Sequence, residues 1–201
     1  MRVMRKRVIV GITGASGIPV AVEVLRMLRE RPEYESHLVV SESGRLTISY
    51  ESDCGVEAVE HLADYVYDTR DIGAPVASGT FRSEGMIIVP CSMKTAAGIA
   101  SGYSDSLLLR AADVMLKERR RLVLAVRECP LSLIHLRNLS ILAEAGADIL
   151  PLVMTFYNHP EGTGDMAHHI ACKVLERIGV EAEGFRRWKD GEGGRKDAHD
   201  D

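Results

Sequence analysis

The chain has 201 residues, of which 46% are hydrophobic, and its 25 basic and 29 acidic side chains give a formal net charge of −4. This composition is typical of a globular domain and excludes low-complexity and collagen-like proteins. With no basic excess to neutralise phosphates, nucleic acid is not an expected partner. Every apolar stretch is far shorter than the roughly 20 residues of a transmembrane helix, and no signal-peptide core precedes the first strand-like segment. We therefore expect a cytoplasmic protein that does not contact a membrane.

Short β-branched runs alternate with longer helical stretches along the chain. The pattern predicts strands at residues 7–13, 36–41, 86–90, 122–127 and 148–153. Helices are predicted at residues 18–31, 42–50, 56–63, 95–101, 106–120, 131–145 and 165–178. Apolar runs flanked by helices are typical of parallel strands that are covered on both faces. We therefore predict one α/β domain over residues 1–188, doubly wound and Rossmann-like or flavodoxin-like, followed by a polar, disordered tail at 189–201.

The residues that bind metals in proteins are not grouped in this sequence. Its four cysteines form no Cys-x-x-Cys pair and stand at no zinc-ligand spacing from a histidine. His168 and His169 are adjacent, so on a helix they point about 100° apart and cannot clamp one ion. No Asp-Asp-x-x-Asp motif, which would hold a diphosphate through Mg²⁺, is present. We expect no metal site.

Polar or glycine-rich residues follow every predicted strand. In doubly wound folds, ligands bind outside the carboxyl ends of the strands, where the loops that follow them converge. One such loop alone is unremarkable in a protein of this class. Together they predict a ligand site formed by the loops at residues 14–17, 41–44, 91–95, 127–130 and 155–160.

The first loop, Gly-Ile-Thr-Gly-Ala-Ser-Gly at residues 11–17, leads directly into a helix. Backbone N–H groups at a helix start bind anions, so we expect a phosphate at the Gly14–Ser16 turn, although a turn that merely needs glycine would have the same pattern. A Walker A loop is excluded because no Gly-Lys-Ser/Thr follows. A dinucleotide is disfavoured because the second strand ends in Ser41 instead of an acid, although Glu42 keeps it open. FMN fits better.

Residues 91–95, Cys-Ser-Met-Lys-Thr, place two hydroxyls at another helix start. They suit a phosphate or the polar edge of a flavin, but Ser92 could equally serve only as a helix cap. Arg110, Asp113 and Lys117 form one stripe of a predicted helix, either a solvated salt-bridged row or part of a site. Unpaired charge at the end of a buried strand is costly, so Arg127 and the adjacent Glu128 favour a functional role.

Taken together, these segments resemble the UbiX family of flavin prenyltransferases. The resemblance covers nearly the whole chain, from about residue 7 to 188. Its most specific parts are Arg-Ala-Ala-Asp-Val-x-Leu-Lys-Glu-Arg-Arg and the Arg-Glu-x-Pro-Leu that follows the next strand. The matching segments are residues 11–17, 91–100, 110–120, 122–131 and the Phe-Tyr-x-x-Pro of residues 156–160.

The resemblance implies an activity, a cofactor and residue roles. The family transfers a dimethylallyl group from dimethylallyl phosphate to reduced FMN, making prenylated FMN for a UbiD-type decarboxylase, and it suggests a homododecamer. FMN would be held by Gly14, Ala15, Ser16, Ser41, Ser92, Met93, Lys94, Thr95 and Arg127. The donor phosphate would be bound by Tyr157, Lys173, Arg110 and Lys117. Catalytic roles would belong to Ser16, Glu51 and Glu128, with Glu51, Glu128 or the released phosphate taking the ring-closure proton.

The sequence departs from the family pattern near the prenyl donor. Met154 and Thr155 replace a usual Pro-Ala, Lys173 stands where Arg is common, and Glu42 replaces a usual Lys. These changes leave open a longer prenyl group or a diphosphate donor. Two alternatives also remain: a cysteine-decarboxylase-type flavoprotein, disfavoured because its Pro-x-Met-Asn-x-x-Met-Trp segment is missing, and a non-catalytic FMN-binding subunit of a hydroxyarene decarboxylase.

Overall fold

The computed structural model describes residues 5–188, in which six parallel strands form one sheet of order β3-β2-β1-β4-β5-β6. The order reverses between β1 and β4, so the predicted doubly wound α/β fold is confirmed. The predicted tail at 189–201 lies outside the described residues. The strands are β1 (Lys6–Ile12), β2 (Tyr34–Val40), β3 (Tyr65–Tyr67), β4 (Gly85–Cys91), β5 (Arg121–Val126) and β6 (Asp148–Pro151). The helices are α1 (Ile18–Arg29), α2 (Glu42–Glu51), α3 (Gly55–Glu60), α4 (Met93–Ala100), α5 (Leu107–Lys117), α6 (Leu133–Glu144) and α7 (Thr163–Arg177).

The edge strand β3 was not predicted from the sequence. It has three residues, and Tyr65 and Val66 are exposed, so it lacks the apolar run that marks the other strands. Side chains hold it instead. The Tyr65 ring stacks on His37 of β2 at 4.6 Å, and the Tyr67 hydroxyl lies 2.8 Å from the His37 Nδ1.

Several element ends differ from the prediction. Helix α5 stops at Lys117 instead of residue 120, because Arg119 adopts a left-handed backbone conformation and the Arg120 guanidinium donates to the Phe81 carbonyl oxygen. Strand β6 ends at Pro151, so residues 152 and 153 belong to the loop that follows. Helix α7 begins at Thr163, two residues earlier than predicted.

The core lies in two layers, one on each face of the sheet. Alternate residues of β1 face opposite layers: Val8 and Val10 pack in the layer of α1 and α7, whereas Ile9 packs in the layer of α4 and α5. Each such fully buried side chain contributes about 1.5–3 kcal/mol to folding. No helix among residues 5–188 is long and apolar enough to span a membrane.

Candidate functional site

The ends of β1, β2 and β4 and the loops that follow them are tied together at the carboxyl edge of the sheet. The Thr13 hydroxyl donates to the Pro90 carbonyl oxygen at 2.7 Å and accepts from the Ser92 N–H at 2.9 Å. Ser41 N–H donates to the Ile12 carbonyl oxygen at 2.9 Å. The crevice at the reversal of strand order, where this fold class binds ligands, is therefore fixed by hydrogen bonds on both sides.

The start of α2 lies against the first loop so closely that only glycine fits there. A Cβ atom on Gly14 would lie 2.5 Å from the Ser43 Cβ. The Ser41 side chain caps α2 by accepting from the Gly44 N–H at 3.0 Å, and its hydroxyl lies 3.2 Å from that of Ser43. Two hydroxyls and a helix N-terminus thus border the predicted Gly14–Ser16 turn.

Helix α4 begins in the same way after β4. Ser92 caps it by accepting from the Thr95 N–H at 3.3 Å, and the Ser92 and Thr95 hydroxyls are 3.1 Å apart. Met93 and Thr95 are buried and Lys94 is exposed. Capping uses one lone pair of the Ser92 hydroxyl and the contact with Thr95 uses either its proton or its second lone pair, so one of these two remains for a ligand.

The start of α1 holds a carboxylate. The Glu51 Oε2 accepts from the Gly17 N–H at 2.9 Å and the Ile18 N–H at 3.0 Å, and the Ser16 side chain is also hydrogen-bonded to it. Gly17 has φ +125°, a conformation that favours glycine. The N–H groups of the first turn of α1, which were expected to face a phosphate, therefore donate to Glu51.

The contacts of Glu51 set its charge. Burial raises the pKa of this carboxyl, but the hydrogen bonds from Ser16, Gly17 and Ile18 and the nearby charge of Arg127 outweigh burial, so the pKa lies below its ordinary value. Glu51 is consequently ionised at neutral pH. Its depressed pKa makes it a weak base and a strong fixed negative charge.

Glu51, Ser16 and Arg127 line one cavity of about 670 Å³. On the opposite side the wall is mostly apolar and comes from α7 and the loop after β6. Of the five loops that the sequence predicts to form one ligand site, those at residues 14–17 and 127–130 contribute to this cavity. The other lining residues are Gly17, Pro19, Val20, Leu152, Met154, Thr163, Met166, Ala167 and Ile170.

The residues expected to bind the donor phosphate do not converge within one chain. Lys173 lines a separate groove of about 380 Å³ between β6 and α7. Arg110 and Lys117 form exposed ion pairs instead. An Arg110 guanidinium nitrogen lies 3.7 Å from a carboxylate oxygen of Asp113, and the Lys117 Nζ lies 2.7 Å from a carboxylate oxygen of Glu118. These two cations are on α5, which packs on the other face of the sheet from α7.

Glu128 also lies outside the 670 Å³ cavity. It is exposed, and its Oε1 accepts the N–H of the adjacent Cys129 at 3.0 Å. Arg127, its neighbour, lies beside the cavity near Glu51. Both side chains of the strand-end pair are exposed, so neither is the buried charge that the sequence suggested, and of the two only Arg127 lines the cavity.

His169 is a candidate functional residue that the sequence analysis did not single out. It is buried, its Nε2 lies 3.4 Å from the Tyr157 hydroxyl, and the two rings meet edge to face. Burial and the charges of Lys173 and His168 lower the His169 pKa. Its position one helical turn before Lys173 was the available signal, because residues four apart share a helix face. Tyr157 also contacts the Trp188 ring at 5.1 Å.

Comparisons with known proteins identify the family. The Flavoprotein family profile matches residues 2–178. A "Probable UbiX-like flavin prenyltransferase" of Sedimentibacter hydroxybenzoicus is 46% identical over 183 residues, which are 91% of this chain and 97% of that protein. The chain belongs to the Flavoprotein family and, within it, to the UbiX-like flavin prenyltransferases.

Two solved structures show the same fold at high identity. A dodecameric FMN-dependent UbiX-like decarboxylase from Escherichia coli O157:H7 is 48% identical with a TM-score of 0.89, covering 92% of this chain and all (100%) of that one. AnUbiX (PadA1), solved with FMN and dimethylallyl pyrophosphate, is also 48% identical with a TM-score of 0.89, covering 92% of this chain and 97% of that one.

Among residues 5–188, no three His, Cys, Asp or Glu side chains are grouped so that they could hold a metal ion. The exposed cysteines are Cys54 and Cys129, and the buried ones are Cys91 and Cys172. Burial raises the pKa of Cys91 to about 12, so this thiol stays protonated and packs as a small apolar side chain.

Proposed function

We propose that this protein is a flavin prenyltransferase that transfers a dimethylallyl group from dimethylallyl phosphate to reduced FMN. The observation that carries the proposal is the cavity in which Ser16, Glu51 and Arg127 face an apolar wall at the reversal of strand order. An apolar wall suits a prenyl group, and fixed charges suit a reaction in which charge develops. Relatives that are 46% and 48% identical over about nine-tenths of this chain are named flavin prenyltransferases.

The crevice fits FMN. Reduced FMN supplies the ring system that accepts the prenyl group. The loops at Gly14–Ser16 and Ser92–Thr95, with Ser41 and Arg127, border the space beside β1 and β4. Since Glu51 already occupies the start of α1, a phosphate there would meet a carboxylate. We therefore assign the FMN phosphate to the hydroxyl-bearing starts of α2 and α4.

Glu51 stabilises the transition state in this proposal. As the allylic C–O bond breaks, phosphate leaves with the electron pair and positive charge develops on the allyl group. An ionised carboxylate in a shielded cavity stabilises that charge without having to reorganise. The ring-closure proton then goes to Glu128 or to the released phosphate, because the hydrogen bonds that lower the pKa of Glu51 make it a weak base.

The donor phosphate requires a second copy of the chain. Tyr157 and Lys173 lie on the α7 side of the sheet, whereas Arg110 and Lys117 lie on the opposite side. Helix α6 exposes Leu133, Ile134, Leu136 and Ile141, an apolar face that a second copy would cover. We propose a homo-oligomer, dodecameric as in the E. coli O157:H7 relative, in which Arg110 and Lys117 of one copy approach Tyr157 and Lys173 of another.

The proposal is tested by anaerobic incubation with reduced FMN and dimethylallyl phosphate. Mass analysis should show a flavin that carries one added five-carbon unit. A flavin that stays unmodified while FMN binds tightly would favour a non-catalytic FMN-binding subunit. The prenylated product is proposed to serve a UbiD-type decarboxylase, and activation of such an apoenzyme by the reaction mixture checks that step.

A further inference from the structure

The apolar wall of the 670 Å³ cavity is made by two segments. Leu152 and Met154 come from the loop after β6, and Met166, Ala167 and Ile170 come from α7. The loop alternates its sides, because Val153 and Thr155 line the neighbouring 380 Å³ groove instead. Ile170 lines both spaces and so lies at the partition between them.

The two methionines differ from the rest of this wall. Each carries a long, unbranched side chain that adapts its shape to a ligand, and each comes from a different segment. Ala167, next to Met166, is buried and adds little volume, whereas Met166 is half-buried and Met154 is exposed, so both methionine side chains have room to adapt to a ligand. Met166 also lies one helical turn before Ile170, on the same face of α7.

The prenyl group must lie against this wall. The reacting carbon has to meet the flavin within reach of Ser16, Glu51 and Arg127, and these residues line the 670 Å³ cavity. The neighbouring groove instead has Lys173 together with the ion pair of Arg177 and Asp148, whose oxygen and nitrogen atoms are 2.9 Å apart. An apolar chain therefore extends from the reacting carbon towards Met154 and Met166.

We propose that Met154 and Met166 determine specificity by closing the apolar end of the cavity, so that it accepts a five-carbon prenyl donor and rejects a ten-carbon one. This inference rests on the proposed function. One added methylene in an apolar pocket changes selectivity by on the order of tenfold or more. A donor longer by five carbons is therefore excluded unless the wall retreats.

The test is a competition between equal concentrations of dimethylallyl phosphate and geranyl phosphate, with reduced FMN and without oxygen. Mass analysis measures the ratio of ten-carbon to five-carbon flavin product. The parent protein should make the five-carbon product almost alone. Met166→Ala should raise the ratio at least tenfold, and Met154→Ala/Met166→Ala should raise it further. Ala167→Val, which narrows the cavity, should lower the five-carbon turnover.

Two control variants distinguish an effect of cavity size from an effect of reduced stability. Met166→Leu keeps the side-chain volume and should leave the product ratio at the parent value. Met27→Ala removes a buried methionine of α1 that does not line the cavity, so it lowers stability but should not change the ratio. FMN titration of every variant confirms that the cofactor site is folded.

The outcomes of the inference and of the proposed function are distinct. An unchanged ratio in the Ala variants that still make the five-carbon product overturns the role of the methionines and leaves the prenyltransferase activity intact. The role of the two methionines is also overturned if Met27→Ala raises the product ratio as much as Met166→Ala does. It is likewise overturned if the parent protein uses the five-carbon and ten-carbon donors equally well. A parent protein that prenylates FMN with neither donor overturns the proposed function, and the inference falls with it.

Discussion

The cavity around Glu51 and the surface around Lys173 are built differently, although both were expected to form one site. Glu51 makes three hydrogen bonds to Ser16, Gly17 and Ile18, and its pKa is set by contacts within the chain. Lys173 instead lines a separate groove, and the cations expected beside it are on the far face of the sheet. In the proposed function, one chain supplies the flavin end of the site, and the donor end is shared with a second copy.

The largest loss of turnover is expected from a substitution at Glu51. Glu51→Gln keeps two acceptor contacts to the start of α1 but removes the charge, so we expect turnover to fall by about 10²–10³-fold, as for loss of one preorganised electrostatic group. Single-turnover mass analysis measures the loss. FMN affinity should change little.

Glu128→Gln is the matched comparison, because Glu128 was predicted to handle a proton and lies at the surface of a single chain. It should bind FMN normally and form product more slowly than the parent protein. A loss as large as that of Glu51→Gln would place both carboxylates at the reacting atoms. Unchanged rates would assign the ring-closure proton to the released phosphate.

The donor end can be tested by mixing copies. Tyr157→Phe, Lys173→Ala and Lys117→Ala should each lower turnover at least tenfold, since each removes a donor to the phosphate. If two copies share one site, dissociating and reassembling Lys117→Ala with Lys173→Ala should restore part of the activity. Reassembly of Lys117→Ala with the Lys117→Ala/Lys173→Ala double variant should restore none. No recovery in the first mixture, or equal recovery in both, would contradict a shared site.

A smaller effect is expected at the start of α4. Ser92→Ala should weaken FMN binding by about 1 kcal/mol, roughly fivefold, because one hydroxyl is lost. Ser106→Ala is the control: Ser106 caps α5 in the same way by accepting from the Leu109 N–H, so it should cost similar stability. Equal FMN affinities of the two variants would remove Ser92 from the cofactor site.

The smallest expected effect is on the stability of the fold and comes from His37 of β2, which lies outside both the Glu51 cavity and the Lys173 groove. Burial lowers the pKa of His37 below 6.5, although its neighbour Glu35 opposes this. The unfolded chain therefore binds a proton more readily than the folded one, so the free energy of unfolding should fall as the pH drops through 6.5 and stop falling below the folded-state pKa. Denaturant titrations across that range should show a weaker dependence in His37→Phe, whereas His61→Gln, at an exposed position, should behave like the parent protein.

The sequence predicted the strands and loops that a local residue pattern determines. It missed contacts between residues that lie far apart in the chain. Apolar runs and glycine-rich loops located the β1, β4 and β5 ends that form the crevice. The pairing of Glu51 with Gly17 joins residues 34 apart, and no local pattern indicates which carboxylate reaches a helix start. Likewise, the seven-residue spacing of Arg110 and Lys117 indicated that they share a helix face, but it could not indicate which face of the sheet that helix packs on.

The bridge made by Thr13 has a consequence for how ligands exchange. Its hydroxyl links Pro90 and Ser92 across the reversal of strand order, so β1 and β4 cannot part to widen the crevice without breaking one buried and one partly buried hydrogen bond. The loop between Leu152 and Gly162 carries no strand or helix and lines the cavity with Leu152 and Met154, so we expect ligand exchange to depend on its displacement. Product dissociation should follow the rate of that loop's motion, and a disulfide or proline that stiffens it should slow release more than binding.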